Sequence, residues 1–312
     1  MGLPISKSWR KSTQSAVGGN VGEFGRGTRM WGVPGLSCVA AGALAIALSA
    51  CGIDEPLALG EKPRILYVGD SIAANTYATV ESLTEARGAT LHATIYAGTT
   101  LCDFLDDKPV VDPPYVTRLP LAIERSEPQL IILQFWGNKV SPCLSDAGSD
   151  EEYLERYFFD GLLAVQQIES SAQLVGIPRP KILWVLQGPQ PGSEWLDRPR
   201  RLNEVYAFIA EIHGDRTSDA GWSVSEAARP SYEMPNGRYV WTQYLPCTEH
   251  EKKNGLCTHP NLNGGVTQLH RDDDPIHFCL GADYLGFCAT PSPGAVRYGS
   301  RIAEDALGWL GL

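Results

Sequence analysis

The sequence predicts an α/β protein in which helices cover both faces of a parallel sheet, and two features of the chain indicate this class. Apolar runs alternate along the chain with stretches whose apolar residues recur at helical spacing. The apolar runs contain few polar residues, which is typical of strands that are buried on both faces. Alternating strands and helices favour a doubly wound parallel sheet, whose strands end along one edge where ligands bind.

The predicted elements follow one another from residue 64 to the C-terminus. Strands are predicted at Arg64–Gly69, Thr90–Tyr96, Gln129–Phe135 and Lys181–Leu186, with a short fifth strand at Gly221–Val224. Helices are predicted at Ala73–Arg87, at Tyr115–Glu127 with an interruption near Pro120, and at Glu151–Ser170, Arg200–His213 and Gly294–Leu310. Residues 225–275, which are rich in Trp and Tyr, are interpreted as an irregular insertion packed beside the site.

The first fifty residues have the composition of an export signal. Residues 1–29 carry five basic side chains against one acid, and an apolar stretch follows from Met30 to Ala50. The stretch ends in Leu-Ser-Ala-Cys at Cys51, which fits a bacterial lipobox whose cysteine becomes the lipidated N-terminus. A single transmembrane anchor and an ordinary secretory signal cut elsewhere are the alternatives, since the stretch is about one bilayer long.

This organisation predicts three segments and a location. Residues 1–50 would be an N-terminal extension and signal, residues 51–62 a tether, and residues 63–312 one globular domain. Met30 is an alternative start, although it would leave the signal without a basic side chain. We expect an exported lipoprotein on the outer face of the cell membrane.

The charge balance argues against a partner that is a polyanion. Residues 1–50 hold five basic residues and one acid, so the rest of the chain has 21 Lys and Arg against 35 Asp and Glu, a net charge of −14. Such a surface repels nucleic acid and anionic lipid headgroups. We therefore expect no nucleic-acid partner, and membrane association through the lipid anchor alone.

Two short motifs at opposite ends of the predicted domain supply the parts of a nucleophilic site. Gly69-Asp70-Ser71 follows the first apolar run, and Asp274-Pro275-Ile276-His277 precedes the last predicted helix. A serine hydroxyl needs a base to take its proton and an acid to orient that base. Ser71, His277 and Asp274 are therefore the candidate nucleophile, base and orienting acid.

The order of Ser71, Gly98, Asn138 and His277 resembles the SGNH, or GDSL-like, hydrolase family over roughly residues 62–311. The resemblance implies a flavodoxin-like three-layer α/β/α fold and an ester-cleaving reaction that needs no cofactor or metal. It also implies that the backbone N–H groups of Ser71 and Gly98 and the side-chain amide of Asn138 form an oxyanion hole. Gly98 suits that role, because the lack of a Cβ lets a substrate approach the backbone.

The chain departs from the family pattern in two blocks. Trp136-Gly137-Asn138-Lys139 stands where the family usually has Gly-x-Asn-Asp, and Ile72-Ala73-Ala74-Asn75 lacks the Gly that often follows the nucleophile. Trp136 could stack on a sugar ring, but packing in the core is the favoured interpretation.

Six cysteines follow the predicted signal, and an even number in an exported chain indicates disulfides. Short loops favour Cys247–Cys257 and Cys279–Cys288, which leaves Cys102–Cys143 among the fifteen possible connectivities. A zinc site is the alternative at one segment, because Cys247, His250, Cys257 and His259 are all ligand types. Their spacing is not a common zinc pattern, and an oxidising compartment favours the disulfide.

These observations lead to one leading hypothesis and two rivals. The leading hypothesis is an exported, membrane-anchored serine esterase that forms an acyl-serine and acts on O-acyl, above all O-acetyl, esters of envelope glycans or related molecules. One rival is an acyltransferase that passes the acyl group to a sugar hydroxyl. The other is a non-catalytic glycan-binding lipoprotein that presents the aromatic insertion.

Overall fold

The computed structural model describes residues 62–106, 108, 116–191, 193–226, 240–283 and 285–312, with the main chain alone for 193–197. The signal segment, Cys51 and all but the last residue of the tether lie outside the described residues, so the lipobox hypothesis remains a prediction. None of the helices in these ranges is both long and apolar enough to cross a membrane.

Five parallel strands form the central sheet: β1 Arg64–Gly69, β2 Thr90–Ile95, β3 Leu130–Gln134, β4 Lys181–Val185 and β5 Arg216–Ser218. Their order in the sheet is β2-β1-β3-β4-β5. The chain moves outward from β1 to β2 and then crosses back to β3, so the direction of winding reverses beside β1. Ligands bind at such a reversal in open α/β sheets.

Helices cover the sheet on both faces, which confirms the predicted three-layer class. Helices α1 Ser71–Ala86 and α6 Pro293–Leu310 pack against each other on one face. On the other face, α3 Asp150–Val175 packs between α2 Leu119–Ser126 and α4 Ser193–His213. Most strand residues are buried, because both faces of the sheet are covered.

The strands alternate their side chains between the two layers of helices. Ile65 and Tyr67 of β1 belong to the core that includes α1 and α6. Trp184 of β4 points to the other layer, where its ring stacks on Tyr206 of α4 at 5.3 Å between centroids. Burying a large aromatic side chain contributes about 2–3 kcal/mol, so these residues fix the helices on the sheet.

Helix α1 approaches α6 closely at Gly299. A Cβ at this position would lie 3.0 Å from Thr79 Cβ and 3.1 Å from the Thr76 carbonyl oxygen. The missing side chain therefore lets α6 lie directly against α1. This contact positions α1, whose first residue is Ser71.

The prediction of a strand at Gly221–Val224 is wrong. Residues Ala220–Val224 form a 3-10 helix, and the fifth strand is the preceding segment β5. Ala220, Gly221 and Val224 are buried while Trp222 is exposed, which is a helical spacing and not an alternation. The true strand was missed because its sequence, Arg-Thr-Ser, lacks the apolar run expected of a strand.

Several predicted helix boundaries also change. The first helix begins at Ser71 and not at Ala73, because Asp70 caps its N-terminus. Pro120 lies in the first turn of α2 and does not interrupt it, since the first-turn N–H groups need no helical partner. Helix α4 begins at Ser193, earlier than the predicted Arg200, and contains Pro199.

The predicted insertion contains a small antiparallel pair of strands, β6 Tyr244–Pro246 and β7 Val266–Gln268, with the short helix α5 Glu249–Lys253 between them. Residues 227–239 of the insertion, including Tyr232 and Tyr239, lie outside the described residues. Glu251 of α5 is buried and accepts hydrogen bonds from Arg297 of α6 at 2.6 and 2.7 Å. This bidentate pair joins the insertion to the helix that supports α1.

Candidate active site

The site begins at the carboxyl end of β1, where Asp70 links two strand ends. Asp70 is fully buried and is the N-cap of α1, with Oδ1 accepting from the Ile72 N–H at 2.9 Å. Its Oδ2 accepts from the Trp136 N–H, just beyond β3, at 2.6 Å. An N-cap carboxylate satisfies donors that the first helical turn leaves open. One side chain therefore fixes both the turn that carries Ser71 and the start of the segment that carries Asn138.

Ser71, His277 and Asp274 form a continuous hydrogen-bonded relay. The Ser71 hydroxyl donates to His277 Nε2 at 2.9 Å. On the other side of the ring, His277 Nδ1 lies 2.9 and 3.0 Å from the two oxygens of Asp274. A carboxylate can only accept, so Nδ1 carries the proton and Nε2 is left with a lone pair directed at the serine. The three residues that the sequence proposed are thus brought together in the geometry of a nucleophile, a base and an orienting acid.

The environment keeps Asp274 ionised. Burial alone would raise the pKa of Asp274, but the electrostatic interaction with His277 and the hydrogen bonds it donates lower that pKa below its usual value. One of those bonds comes from the His277 main-chain N–H at 3.2 Å. Asp274 and His277 are separated by a single turn, so the Asp274 carboxylate accepts from both the main-chain N–H and the ring of His277.

A buried histidine supports the loop that carries the base. The ring of His270 lies between Trp241 and Phe278, at 5.6 and 4.9 Å between centroids. Its Nδ1 is 3.1 Å from the His277 carbonyl oxygen and donates to it, since a carbonyl can only accept. Burial lowers the pKa of His270 to about 4, so the ring is neutral at pH 7. Trp241 adds a hydrogen bond from Nε1 to the Pro275 carbonyl oxygen at 2.8 Å.

Asn75 connects this loop to the nucleophile helix. Its Oδ1 accepts from the Phe278 N–H at 2.8 Å, and its Nδ2 donates to the Gly286 carbonyl oxygen at 2.7 Å. Asn75 lies four residues after Ser71 on α1, so both point from the same side of the helix. The sequence motifs indicate no role for Asn75 or His270. Only the spacing of Asn75 from Ser71 could have indicated one.

The three predicted oxyanion donors line the same pocket as the relay. The Ser71 N–H lies at the first turn of α1, and Gly98 lies in the turn after β2 with φ of +79°. Asn138 follows β3, and its Nδ2 donates to the Thr99 carbonyl oxygen at 2.8 Å. That bond determines which end of the amide carries hydrogens. An amide NH₂ has two of them, so the second remains for a substrate oxygen.

The pocket has a volume of about 720 Å³, a size suited to a small molecule or to part of a larger chain. Trp136 contributes to its wall but is itself 7% exposed, with its ring packed edge-on against Phe278 and Tyr298. The structure therefore supports core packing for Trp136. Lys139, which stands where the family has an acid, forms an ion pair with Asp150 at 3.2 Å beside the pocket.

The cysteines pair as the short-loop argument favoured: Cys102 with Cys143, Cys247 with Cys257, and Cys279 with Cys288. The sulfurs of Cys247 and Cys257 are bonded to each other, so they are not the free thiolates that zinc requires. The structure thus favours the disulfide over the zinc alternative with His250 and His259. Among the described residues, Asp103, Cys102 and Cys143 lie close enough together to hold a metal ion. The two sulfurs are likewise bonded to each other, so they are not free to act as ligands.

No protein-family model and no curated protein matches the chain. Among solved structures, it is similar to a psychrotrophic esterase from Pseudoalteromonas sp., with 12% identity, a TM-score of 0.44, and coverage of 80% of this chain and 100% of that one. A GDSL-like lipase from Bacteroides thetaiotaomicron has 14% identity and a TM-score of 0.40, covering 86% and 98%. The catalytic domain of peptidoglycan O-acetyltransferase A from Streptococcus pneumoniae has 15% identity and a TM-score of 0.35, covering 81% and 96%.

At these identities and TM-scores, the similarity identifies no substrate and no reaction for this chain. The chemistry of the site depends instead on its own distances, above all the 2.9 Å contact between Ser71 Oγ and His277 Nε2.

The relay predicts that Ser71→Ala and His277→Ala each lower kcat for ester hydrolysis by roughly 10⁴-fold or more, because each removes a member of one acting unit. The double variant should be no slower than the slower single variant. Steady-state kinetics with 4-nitrophenyl acetate measure this, with Ser145→Ala and His250→Ala as controls at exposed positions. A wild-type rate for Ser71→Ala would contradict the assignment.

The buried Asp70 predicts a pH-dependent stability. Burial raises the pKa of Asp70 to about 6, against the lowering effect of hydrogen bonds from Trp136 and Ile72. The folded state then binds more protons than the unfolded state between the usual value of 3.8 and about 6, so this group makes stability fall as pH rises through that window.

Asp70→Asn removes the titration. The unfolding free energy of the wild type relative to Asp70→Asn should therefore fall by roughly 2 kcal/mol between pH 4 and pH 7. Urea unfolding of both proteins at several pH values in this range measures the difference. A difference that stays constant with pH would show that burial does not raise the pKa of this carboxyl above its usual value.

Proposed function

We propose that this protein is a serine esterase that forms an acyl-serine intermediate on Ser71. The observation that carries the proposal is the unbroken relay from the Ser71 hydroxyl through His277 to Asp274. Aligned nucleophile, base and acid side chains are the signature of acyl transfer. The non-catalytic alternative has no need of such a relay.

The reaction follows from the positions of these groups. Ser71 Oγ attacks the ester carbonyl carbon while its proton passes to His277 Nε2, and Asp274 stabilises the imidazolium that forms. The carbonyl oxygen becomes an oxyanion, which accepts from the N–H groups of Ser71 and Gly98 and from the Asn138 amide. The alcohol leaves with the proton from His277. Water then attacks the acyl-serine by the same steps, releasing the acid and restoring the serine.

The proposed substrates are O-acyl esters, above all acetyl esters, of envelope glycans. The expected anchor at Cys51 supports this class, because it would hold the domain beside such glycans. The pocket is large enough for an acetylated sugar unit. An acyltransferase would use the same acyl-serine but would pass the acyl group to a sugar hydroxyl, so hydrolysis and transfer differ only in the second acceptor.

Acetate release from an O-acetylated glycan tests the substrate class. We expect the wild type to release acetate from O-acetylated peptidoglycan, and Ser71→Ala to release none above background. Mild alkaline deacetylation of the same glycan supplies the matched control, which should yield nothing. Mass spectrometry of added chitooligosaccharides distinguishes the reactions: acetylated oligosaccharides would indicate transfer. Activity on 4-nitrophenyl acetate without acetate release from any glycan would contradict the proposed substrate class. The proposed esterase activity would still stand.

We further propose that the protein is exported and lipidated at Cys51. The support is the run of small residues that ends at Cys51 after an apolar stretch. In a bacterial host, the wild type should partition with membranes and carry lipid on a new N-terminal cysteine. Cys51→Ala should abolish that modification, whereas Cys38→Ala, a cysteine within the signal, should preserve it. Mass spectrometry that finds unmodified Cys51 in the exported protein would contradict the proposal.

A further inference from the structure

The oxyanion donors come from three strand ends that the sheet alone does not hold together. Strand β1 lies between β2 and β3, so Ser71 follows the middle strand while Gly98 and Asn138 follow its two neighbours. Strands β2 and β3 do not pair with each other. The loops after β2 and β3 therefore need direct contacts with each other if Gly98 and Asn138 are to keep a fixed separation.

Such contacts are present just behind the pocket, and a buried carboxylate is at their centre. Asp103 is in the 3-10 helix Leu101–Phe104, on the loop that carries Gly98. Its Oδ2 accepts from the Thr100 N–H, on the same loop, at 2.7 Å. The same oxygen accepts from the hydroxyl of Ser141, on the loop that carries Asn138, at 2.7 Å. Both Asp103 and Ser141 are buried, so water does not compete for these bonds.

Two further contacts join the same loops. The Cys102–Cys143 disulfide links residues that flank Asp103 and Ser141, across a sequence separation of 41. The amide of Asn138 donates to the Thr99 carbonyl oxygen at 2.8 Å, next to Gly98. Each of these contacts crosses from one donor loop to the other, and the described residues show no substrate-facing role for Asp103, Ser141 or the disulfide.

We propose that Asp103, Ser141 and the Cys102–Cys143 disulfide form an oxyanion clamp, which positions the Asn138 amide opposite Gly98. The proposal rests on the esterase function and assigns positioning residues to it. The clamp acts through Asn138 and does not touch the reacting atoms. A donor that shifts by about 1 Å from the developing oxyanion can lose about 10²-fold in rate, so small loop movements matter.

A double-mutant cycle between Ser141 and Asn138 tests the clamp. If Ser141 acts through Asn138, the effects of the two substitutions on kcat are not additive. Ser141→Ala removes the bond between the loops but leaves the Asp103–Thr100 bond in place. Asn138→Ala removes the donor itself and should lower kcat by roughly 10²–10³-fold. Ser141→Ala should lower kcat roughly tenfold in the wild type, with little change in KM, and should leave the Asn138→Ala variant unchanged.

Matched variants separate positioning from general destabilisation. Ser145→Ala is the control, because the Ser145 hydroxyl is exposed and donates to the Pro142 carbonyl oxygen within the same turn at 3.3 Å. Ser141→Thr keeps a hydroxyl and should recover most of the rate. The pH profile of kcat/KM should keep its shape in Ser141→Ala, because the relay of Ser71, His277 and Asp274 is untouched.

The outcomes of these experiments distinguish a failure of the clamp proposal from a failure of the esterase proposal. Equal losses from Ser141→Ala in the wild-type and Asn138→Ala backgrounds would overturn the clamp and leave the esterase intact. So would a wild-type kcat for Ser141→Ala together with a slow Asn138→Ala. If the wild type hydrolyses no ester at all, the esterase and the clamp both fall.

Discussion

The position of β1 between β2 and β3 is the constraint on which the site depends. A parallel sheet brings the carboxyl ends of neighbouring strands to one edge, so the residues that follow these three strands must meet there. Ser71 starts the helix after β1, and the buried Asp70 carboxylate ties that turn to the Trp136 N–H beyond β3. The proposed nucleophile is thus held on both sides before any substrate arrives, which is the preorganisation that the proposed acyl transfer requires.

The base reaches this edge from a separate part of the chain, and several polar contacts hold it there. His277 lies on a loop, yet its carbonyl oxygen is bound by His270, and the N–H of the next residue is bound by Asn75. Asn75 belongs to the helix that Ser71 begins, so the distance between nucleophile and base is fixed by one rigid element. The close contact of α1 with α6 at Gly299 steadies that helix in turn.

The sequence predicts the parts of this arrangement that depend on local pattern. Apolar runs identified β1 to β4, and the two short motifs contain Ser71, Asp274 and His277, which the structure brings into contact. The edge strand Arg216–Ser218 is polar and has no such run, so the pattern places the fifth strand wrongly in the neighbouring 3-10 helix. Asn75, His270, Asp103 and Ser141 were missed for a different reason: their roles come from partners that are distant in sequence, and no local pattern identifies those partners.

The central claim is that His277 activates Ser71 as a nucleophile, and covalent labelling with a fluorophosphonate tests it most directly. Such reagents react with an activated serine and leave a phosphonyl group that peptide mass spectrometry can locate. The account predicts stoichiometric labelling of Ser71 in the wild type and greatly slowed labelling in His277→Ala. Labelling at another residue, or equal rates in the two proteins, would contradict it.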